Sequence, residues 1–247
     1  MGRDDDGIQI VKRLFTMQAS AIIVAAGNGA RLGQATPKAF VPLGGMPLLR
    51  YSLASVARVA AIGEVVVTVP SGMEPAARAE VAAAGLTLPV KLTPGGAQRQ
   101  DSVRIALALT SALAEIVVVH DAARPFATPA SFTAVIEAAA RGGGAIAAIA
   151  LADTLKRVDE RGLIHATVAR AELWQAQTPQ AFRRSLLVEA HRRAHSEALT
   201  ATDDADLVER IGATVVVVSG SALNFKITTA DDLRLAQALV ASGAAPD

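Results

Sequence analysis

An apolar run that breaks abruptly into glycines constrains the fold of this chain most: AIIVAAGNGARLGQATPK, residues 21–38. Residues 21–26, with two Ile and one Val, read as a strand buried on both faces of a parallel sheet. Gly27 and Gly29 then permit positive φ and, lacking a Cβ, let backbone N–H groups approach an anion. Arg31 and Lys38 follow as fixed cations. The P-loop pattern needs Gly-Lys-Ser/Thr, whereas Lys38 follows Pro37; the dinucleotide fingerprint G-x-G-x-x-G needs a glycine where Leu32 stands. Two cations added to a glycine turn suit a ligand carrying more charge than a dinucleotide diphosphate, and a nucleoside triphosphate fits. The loop alone leaves a plain strand-to-helix turn with surface Arg and Lys open as the alternative.

The length of 247 residues allows one medium domain or two small ones, and no internal repeat or low-complexity linker divides the chain. Lys plus Arg number 24 against 23 Asp plus Glu, a net charge of +1, so broad nucleic-acid or membrane-surface binding has no support and positive potential must be local. Cysteine is absent, which excludes disulfides, thiolate metal sites and a cysteine nucleophile. The longest nearly apolar stretch, 145–152, falls far short of the ~20 residues of a membrane-spanning helix. Asp4, Asp5 and Asp6 ahead of Ile8 reverse the charge of a signal peptide. The expectation is a cytoplasmic protein with a flexible leader over 1–20, Met17 offering an alternative start.

Strand and helix patterns alternate through the remainder. Helical spacing covers 47–58, with Leu48, Leu49, Leu53 and Val56 on one side; a strand at 64–69, a helix at 74–84 and a strand at 90–92 follow. After GGAQRQDSV (95–103) a helix runs to about 113, then the strand IVVVH (116–120) enters DAARPF, with a helix at 129–141 and a buried strand at 145–150. The rhythm breaks at 154–158 and 164–168, two short strands around Asp159-Glu160-Arg161-Gly162, read as a projecting β-hairpin arm. Such an arm is marginal alone and needs something to pair with. Helices at 183–195 and 204–211, a strand at 214–219 and a helix at 230–242 close the chain. The pattern is that of an α/β fold with a doubly wound, mostly parallel sheet.

Open α/β sheets bind ligands beyond the C-terminal ends of their strands. The residues there are Gly27, Gly29, Arg31 and Lys38, then Gly95, Gly96, Arg99 and Ser102, then Asp121 and Arg124, and finally Asn224 and Lys226. One crevice would gather five cations, Arg31, Lys38, Arg99, Arg124 and Lys226, around the carboxylate of Asp121, as a polyphosphate with a divalent metal requires. Each residue has a plainer alternative: Asp121 as a helix N-cap, Gly95-Gly96 as a turn, Lys226 as an edge charge. His120, His165, His191 and His195 lack a nucleophile or metal-ligand partner at a recognisable spacing and are read as structural or surface residues. A phosphate nucleophile, mostly dianionic near neutrality, needs no base.

The segments AIIVAAGNGARLG, TPKAFVPLGG, GGAQRQDSV, VVVHDAARPF, LADTLKRV, LWQAQTPQAF, TDDADLVER and NFKITTADDL, in this order, resemble the 2-C-methyl-D-erythritol 4-phosphate cytidylyltransferase family of the non-mevalonate isoprenoid pathway. The resemblance implies a Rossmann-like, nucleotide-diphospho-sugar-transferase-like domain over 21–247, transferring CMP from CTP to methylerythritol phosphate with Mg²⁺. It also implies a homodimer through an arm at about 152–172 that completes the neighbouring site. It assigns Arg31 and Lys38 to transition-state stabilisation, and the backbone of Ala25, Ala26 and Gly27, with Gly96, Arg99 and Ser102, to the nucleotide. Asp121, Thr178, Thr202 and Lys226, with Thr154 and Arg170 from the partner, fall to the polyol phosphate, Arg170 and Lys226 positioning the attacking group. The resemblance makes Asp121 the metal contact, the ion being held mainly by phosphates. Ala97 stands where some family members carry an Asp beside the cytosine, leaving base selection to backbone groups. At 247 residues no fused cyclodiphosphate synthase module is expected. A cytidylyltransferase for another polyol phosphate, such as ribitol 5-phosphate, and an inactive nucleotide-binding regulator are the other readings.

Overall fold

The computed structural model describes residues 18–27, 29, 32–33 and 36–243. Strand β1 spans Ala19–Val24, so it starts and ends two residues earlier than the apolar run 21–26, and Ser20 belongs to the sheet rather than to a leader. A 3-10 turn at Lys38–Phe40 precedes the two-residue strands β2 (Pro42–Leu43) and β3 (Met46–Pro47), paired around Gly44 and Gly45. Helix α1 (Leu48–Ala57), β4 (Ile62–Val69), α2 (Glu74–Ala83) and β5 (Val90–Pro94) follow. Then come α3 (Arg99–Leu109), β6 (Ile116–Asp121), α4 (Pro129–Gly142) and β7 (Gly144–Ala150). The arm is β8 (Leu155–Val158) and β9 (Ile164–Val168), and β10 (Trp174–Arg183), α5 (Arg184–Ser196), α6 (Asp204–Arg210), β11 (Val215–Ser219) and α7 (Ala230–Ala241) complete the chain.

The seven-stranded sheet has the order β11-β7-β10-β6-β1-β4-β5, and only β10 runs antiparallel to its neighbours. Side chains alternate across it and are apolar on both sides, so helices must cover both faces. On one face Ala21, Ile23, Val65, Val67 and Val118 pack with Leu49 and Leu53 of α1, Ala77 of α2 and Phe132, Val135 and Ile136 of α4. On the other, Ile22, Val66, Val117 and Val119 meet Val103 and Leu107 of α3, Leu187 of α5 and Leu207 and Val208 of α6. Helix α7 lies apart with the β2–β3 hairpin, around Leu43, Leu48, Phe126, Ile227 and Leu233. The doubly wound architecture expected from the alternating pattern is the one observed. Helix α3 stops at Leu109, short of the expected 113: Thr110 turns to extended backbone and its hydroxyl donates to the Leu107 carbonyl, leaving Leu113 exposed.

Two features set the position of the site. Strand β1 lies between β6 and β4, so the connections leaving it diverge, and the crevice of such a sheet opens at that reversal. Among the described residues the arm pairs only with itself, as a separate two-stranded sheet. Among the described residues no helix is long and apolar enough to cross a membrane.

Candidate active site

The crevice opens past the C-terminal ends of β1, β4, β5 and β6, with a volume of about 410 Å³. Its walls include Ala25, Ala26, Gly27 and Lys38 after β1, Gly95, Gly96, Ala97, Arg99 and Ser102 after β5, Asp121 of β6 and Lys226. The crevice thus brings together Ala25, Ala26, Gly27, Lys38, Gly95, Gly96, Ala97, Arg99, Ser102, Asp121 and Lys226, all expected there from the sequence or its family resemblance.

Gly95 and Gly96 are more than a turn. A Cβ on Gly95 would lie 2.2 Å from the Ala26 Cβ, and one on Gly96 would lie 2.3 Å from the Asp101 Cβ. Their bare backbone lets the ends of β5 and β1 close up beside the α3 N-terminus. That terminus is formed by a capping box in which the Gln98 and Asp101 side chains take up each other's backbone N–H groups. The Ser102 hydroxyl accepts from Gly96 N–H at 3.1 Å and donates to the Gln98 carbonyl. Gly29 has φ +67° and lies against the Lys38 side chain; Gly27 is not in the left-handed region, so the freedom expected there goes unused. Arg31 lies outside the described residues.

Asp121 is the electrostatic centre. It is part of β6 rather than a helix N-cap, the next helix being capped by Thr128. Its Oδ1 accepts from Arg99 Nε at 2.9 Å and its Oδ2 from Lys226 Nζ at 2.7 Å. Burial alone would raise this carboxyl; the charges and hydrogen bonds of Arg99 and Lys226 outweigh it and hold the group far below the usual carboxylate range. Burial likewise works against the Arg99 charge, but Asp121 and Asp204 raise its pKa above the ordinary arginine value. Lys38 Nζ donates to the Ile227 carbonyl at 3.0 Å, which places its ammonium beside the segment bearing Lys226.

Thr178 completes a chain of fixed polarity. Its hydroxyl accepts from the Asp121 backbone N–H at 3.0 Å and lies 3.0 Å from His120 Nδ1. His120 Nε2 is 3.1 Å from the Arg124 carbonyl, which can only accept, so Nε2 carries the proton and Nδ1 accepts from Thr178. The ring is neutral: burial first, then the charges of Arg124 and Arg99, lower its pKa to about 4 against the opposing pull of Asp121.

Arg124, expected in the crevice, is absent from its walls. The side chain is buried and donates to the carbonyls of Asn224, at 2.8 Å, and Ala176, at 3.3 Å. Asn224, also buried, donates to the carbonyl of Thr178 and to Gln177. Both residues latch the segment that leads into Lys226. Thr202, Thr154 and Arg170 do not line the crevice, and the last two, both exposed, flank the arm. His120 and His191 are buried and hydrogen-bonded, whereas His165 and His195 lie at the surface, as read from the sequence. Gln177 and Asp204 carry no signal of their own in the sequence, and His191 reads there only as a structural or surface residue; side chains buried by tertiary packing leave no spacing that sequence alone could mark.

Among the described residues no group of three or more His, Cys, Asp or Glu side chains could hold a metal. Asp121, with each oxygen already accepting from a cation, fits an ion held chiefly by a ligand's phosphates and not one held by protein alone.

The family model for 2-C-methyl-D-erythritol 4-phosphate cytidylyltransferase (IspD) matches residues 19–242. The protein of that name from Pelotomaculum thermopropionicum is 40% identical over 224 residues, 90% of this chain and 94% of the relative. The chain belongs to the 2-C-methyl-D-erythritol 4-phosphate cytidylyltransferase family. The crystal structure of the Thermus thermophilus enzyme of that name superposes with a TM-score of 0.77 at 38% identity, covering 91% of this chain and 100% of the other. The 4-diphosphocytidyl-2C-methyl-D-erythritol synthase of Anaerococcus prevotii gives 0.80 at 29% identity, covering 91% and 99%. The family match spans every strand and helix described above, from the start of β1 to the end of α7. The chain is therefore a nucleotidyltransferase, and the resemblance seen in its motifs holds.

Proposed function

We propose that this enzyme transfers CMP from CTP to 2-C-methyl-D-erythritol 4-phosphate, giving 4-diphosphocytidyl-2-C-methyl-D-erythritol and pyrophosphate in isoprenoid precursor synthesis. The observation that carries this reading is the convergence of Lys38, Arg99 and Lys226 on one crevice around Asp121. An oxygen of the 4-phosphate attacks the α-phosphorus of CTP in line; a P–O bond forms as the bond to the β-phosphate oxygen breaks, and pyrophosphate departs with that electron pair. Two anions must meet, so most of the catalysis is positioning and charge neutralisation. Lys226 uses one of its three N–H donors on Asp121 and is held in place before the polyol phosphate arrives. Lys38 and Lys226 flank the α-phosphate, Arg31 attends the departing pyrophosphate, and Gly27, Gly96, Arg99 and Ser102 seat the nucleotide. Asp121 is the residue that would contact a Mg²⁺ brought by the triphosphate, and such an ion would supply further neutralisation of phosphate charge. Ala97 lines the wall and offers cytosine no side-chain hydrogen-bonding group, so at that position selection falls to backbone groups.

Thr154 and Arg170 lie outside the crevice of their own chain, which supports a homodimer in which the arm carries them to the partner's site. The arm exposes apolar surface that an isolated monomer would leave in water: Val158 at 52%, Leu163 at 55% and Ile164 at 64%. Thr178 and Thr202 are assigned to the polyol phosphate. Incubation with CTP, Mg²⁺ and methylerythritol phosphate should release pyrophosphate and form the cytidine diphosphate product. Turnover of ribitol 5-phosphate in its place would instead support a different polyol acceptor.

A further inference from the structure

Arg99 is held by two carboxylates from different elements: its Nε donates to Asp121 at 2.9 Å and its Nη1 donates to Asp204 of α6 at 2.8 Å. Asp204 is not part of the crevice wall. It is 1% exposed, and its second oxygen accepts from His191 Nε2 of α5 at 3.0 Å. Nδ1 of His191 is buried without a partner among the described residues, so no competing hydrogen bond turns the ring away from Asp204. Elements α5, α6, α3 and β6 therefore meet at one guanidinium, whose Nη2 is committed to neither carboxylate.

We propose that Asp204 and His191 are positioning residues for nucleotide binding, touching no substrate and acting through Arg99, whose guanidinium plane they fix so that Nη2 is presented to the nucleotide. The inference rests on the reading of the crevice as a CTP site. A long side chain ordered only when ligand arrives would lose its rotamer freedom at that moment; anchoring it during folding moves that cost out of binding. The charge of Asp204 acts in the opposite sense, since a carboxylate behind the site weakens attraction for phosphate. The two effects give opposite predictions on its neutralisation.

Asp204→Asn keeps the shape and removes the charge. Positioning predicts that CTP affinity, read by calorimetry, falls roughly tenfold, the effect of weakening a hydrogen bond to a charged group. KM for CTP should rise more than kcat falls. In an Arg99→Met background the same substitution should add nothing, whereas a merely structural Asp204 gives additive losses. Tighter CTP binding, or additivity, overturns the proposal. Should the Asn variant not fold, His191→Leu is expected to weaken CTP binding and His191→Gln, which keeps a donor near the Nε2 position, to recover most of that loss; equal behaviour of the two overturns it. A readout free of ligand is the Arg99 Nη1 group, the donor to Asp204, followed by NMR: its proton exchange with water and its rotation about the Cζ–Nη1 bond are slow in the wild-type protein and fast in Asp204→Asn or His191→Leu. Unchanged exchange sinks the inference whatever the nucleotide, while a wild-type protein that does not bind CTP sinks the functional reading and leaves the exchange measurement to decide this one.

Discussion

The side chains of the crevice are tethered before any substrate arrives. Lys38 is drawn to the Ile227 carbonyl and Lys226 to Asp121, so each ammonium is positioned at little further entropic cost. Replacing Lys38 by alanine is expected to lower kcat by about 10²- to 10³-fold, the usual effect of removing one charge-stabilising donor, with KM for CTP less affected. Steady-state kinetics check this, and a near-normal kcat would remove Lys38 from the mechanism. Below the crevice, neutral His120 ties stability to pH. The unfolded ring takes up a proton as pH falls through about 6.5, the folded ring only near 4, so between these values the unfolded state binds more protons and stability falls with pH. The loss over that window is on the order of 3 kcal/mol. Asp121 and Asp204, both depressed, act in the same direction below the normal carboxylate range: their contribution is present above it and is lost as they protonate. Urea midpoints measured from pH 7.5 to 4.5 should fall in the wild-type protein and fall less in His120→Gln; a flat wild-type profile would mean that the ring is charged or exposed in the fold.

At the level of elements, the apolar runs made β1, β4, β6 and β7 legible, because a strand buried on both faces has few side chains available to it, while four consecutive valines marked the half-exposed edge strand β11. Strand β10 was not legible. WQAQTPQAFR is half polar and holds Pro179, which cannot donate to a ladder and marks a break in any strand pattern. The structure resolves the conflict locally: pairing with β7 slips between Ala176 and Gln180, and the polar side chains that result, Gln177, Thr178 and Gln180, are buried and bonded rather than solvated. The glycines divide in the same way. Gly27 and Gly95 look alike in sequence, yet among the described residues a Cβ on Gly27 meets nothing within 4 Å while one on Gly95 strikes Ala26 and Ser102. Gly95→Ala is therefore expected to destabilise the fold by about 1–3 kcal/mol, the cost of overpacking where two strand ends touch. Gly27→Ala should leave the urea midpoint near its wild-type value. Equal midpoints for the two variants would show that the β1 and β5 ends separate freely.

The whole molecule poses the question that the single chain leaves to its surfaces. Lys38, Arg99, Asp121 and Lys226 were legible as one site because each closes or follows a strand, and the sheet delivers strand ends to a common edge. Arg124 obeys the same rule and still turns inward, since the carbonyls of Asn224 and Ala176 offer acceptors that strand-end position cannot reveal. Thr154 and Arg170 follow no strand-end rule; only family resemblance pointed to them, and they flank an arm away from the crevice. If the arm serves a partner, two crippled subunits should rescue each other. Lys38→Ala and Arg170→Ala are each expected to be nearly inactive alone. In a mixed dimer with exchanged arms, one site combines both defects and the other combines an intact Lys38 with an intact Arg170 from across the interface. Random reassortment makes about half the dimers mixed, so activity should return to roughly a quarter of wild type. If Arg170 instead serves its own chain, both sites of every mixed dimer carry a defect and no activity returns. Mild denaturation of the mixed variants, renaturation and a pyrophosphate-release assay distinguish the two arrangements. Ile164→Asp, which charges the exposed apolar face of the arm, should abolish the recovery and shift the mass in sedimentation toward that of one 25.3 kDa chain.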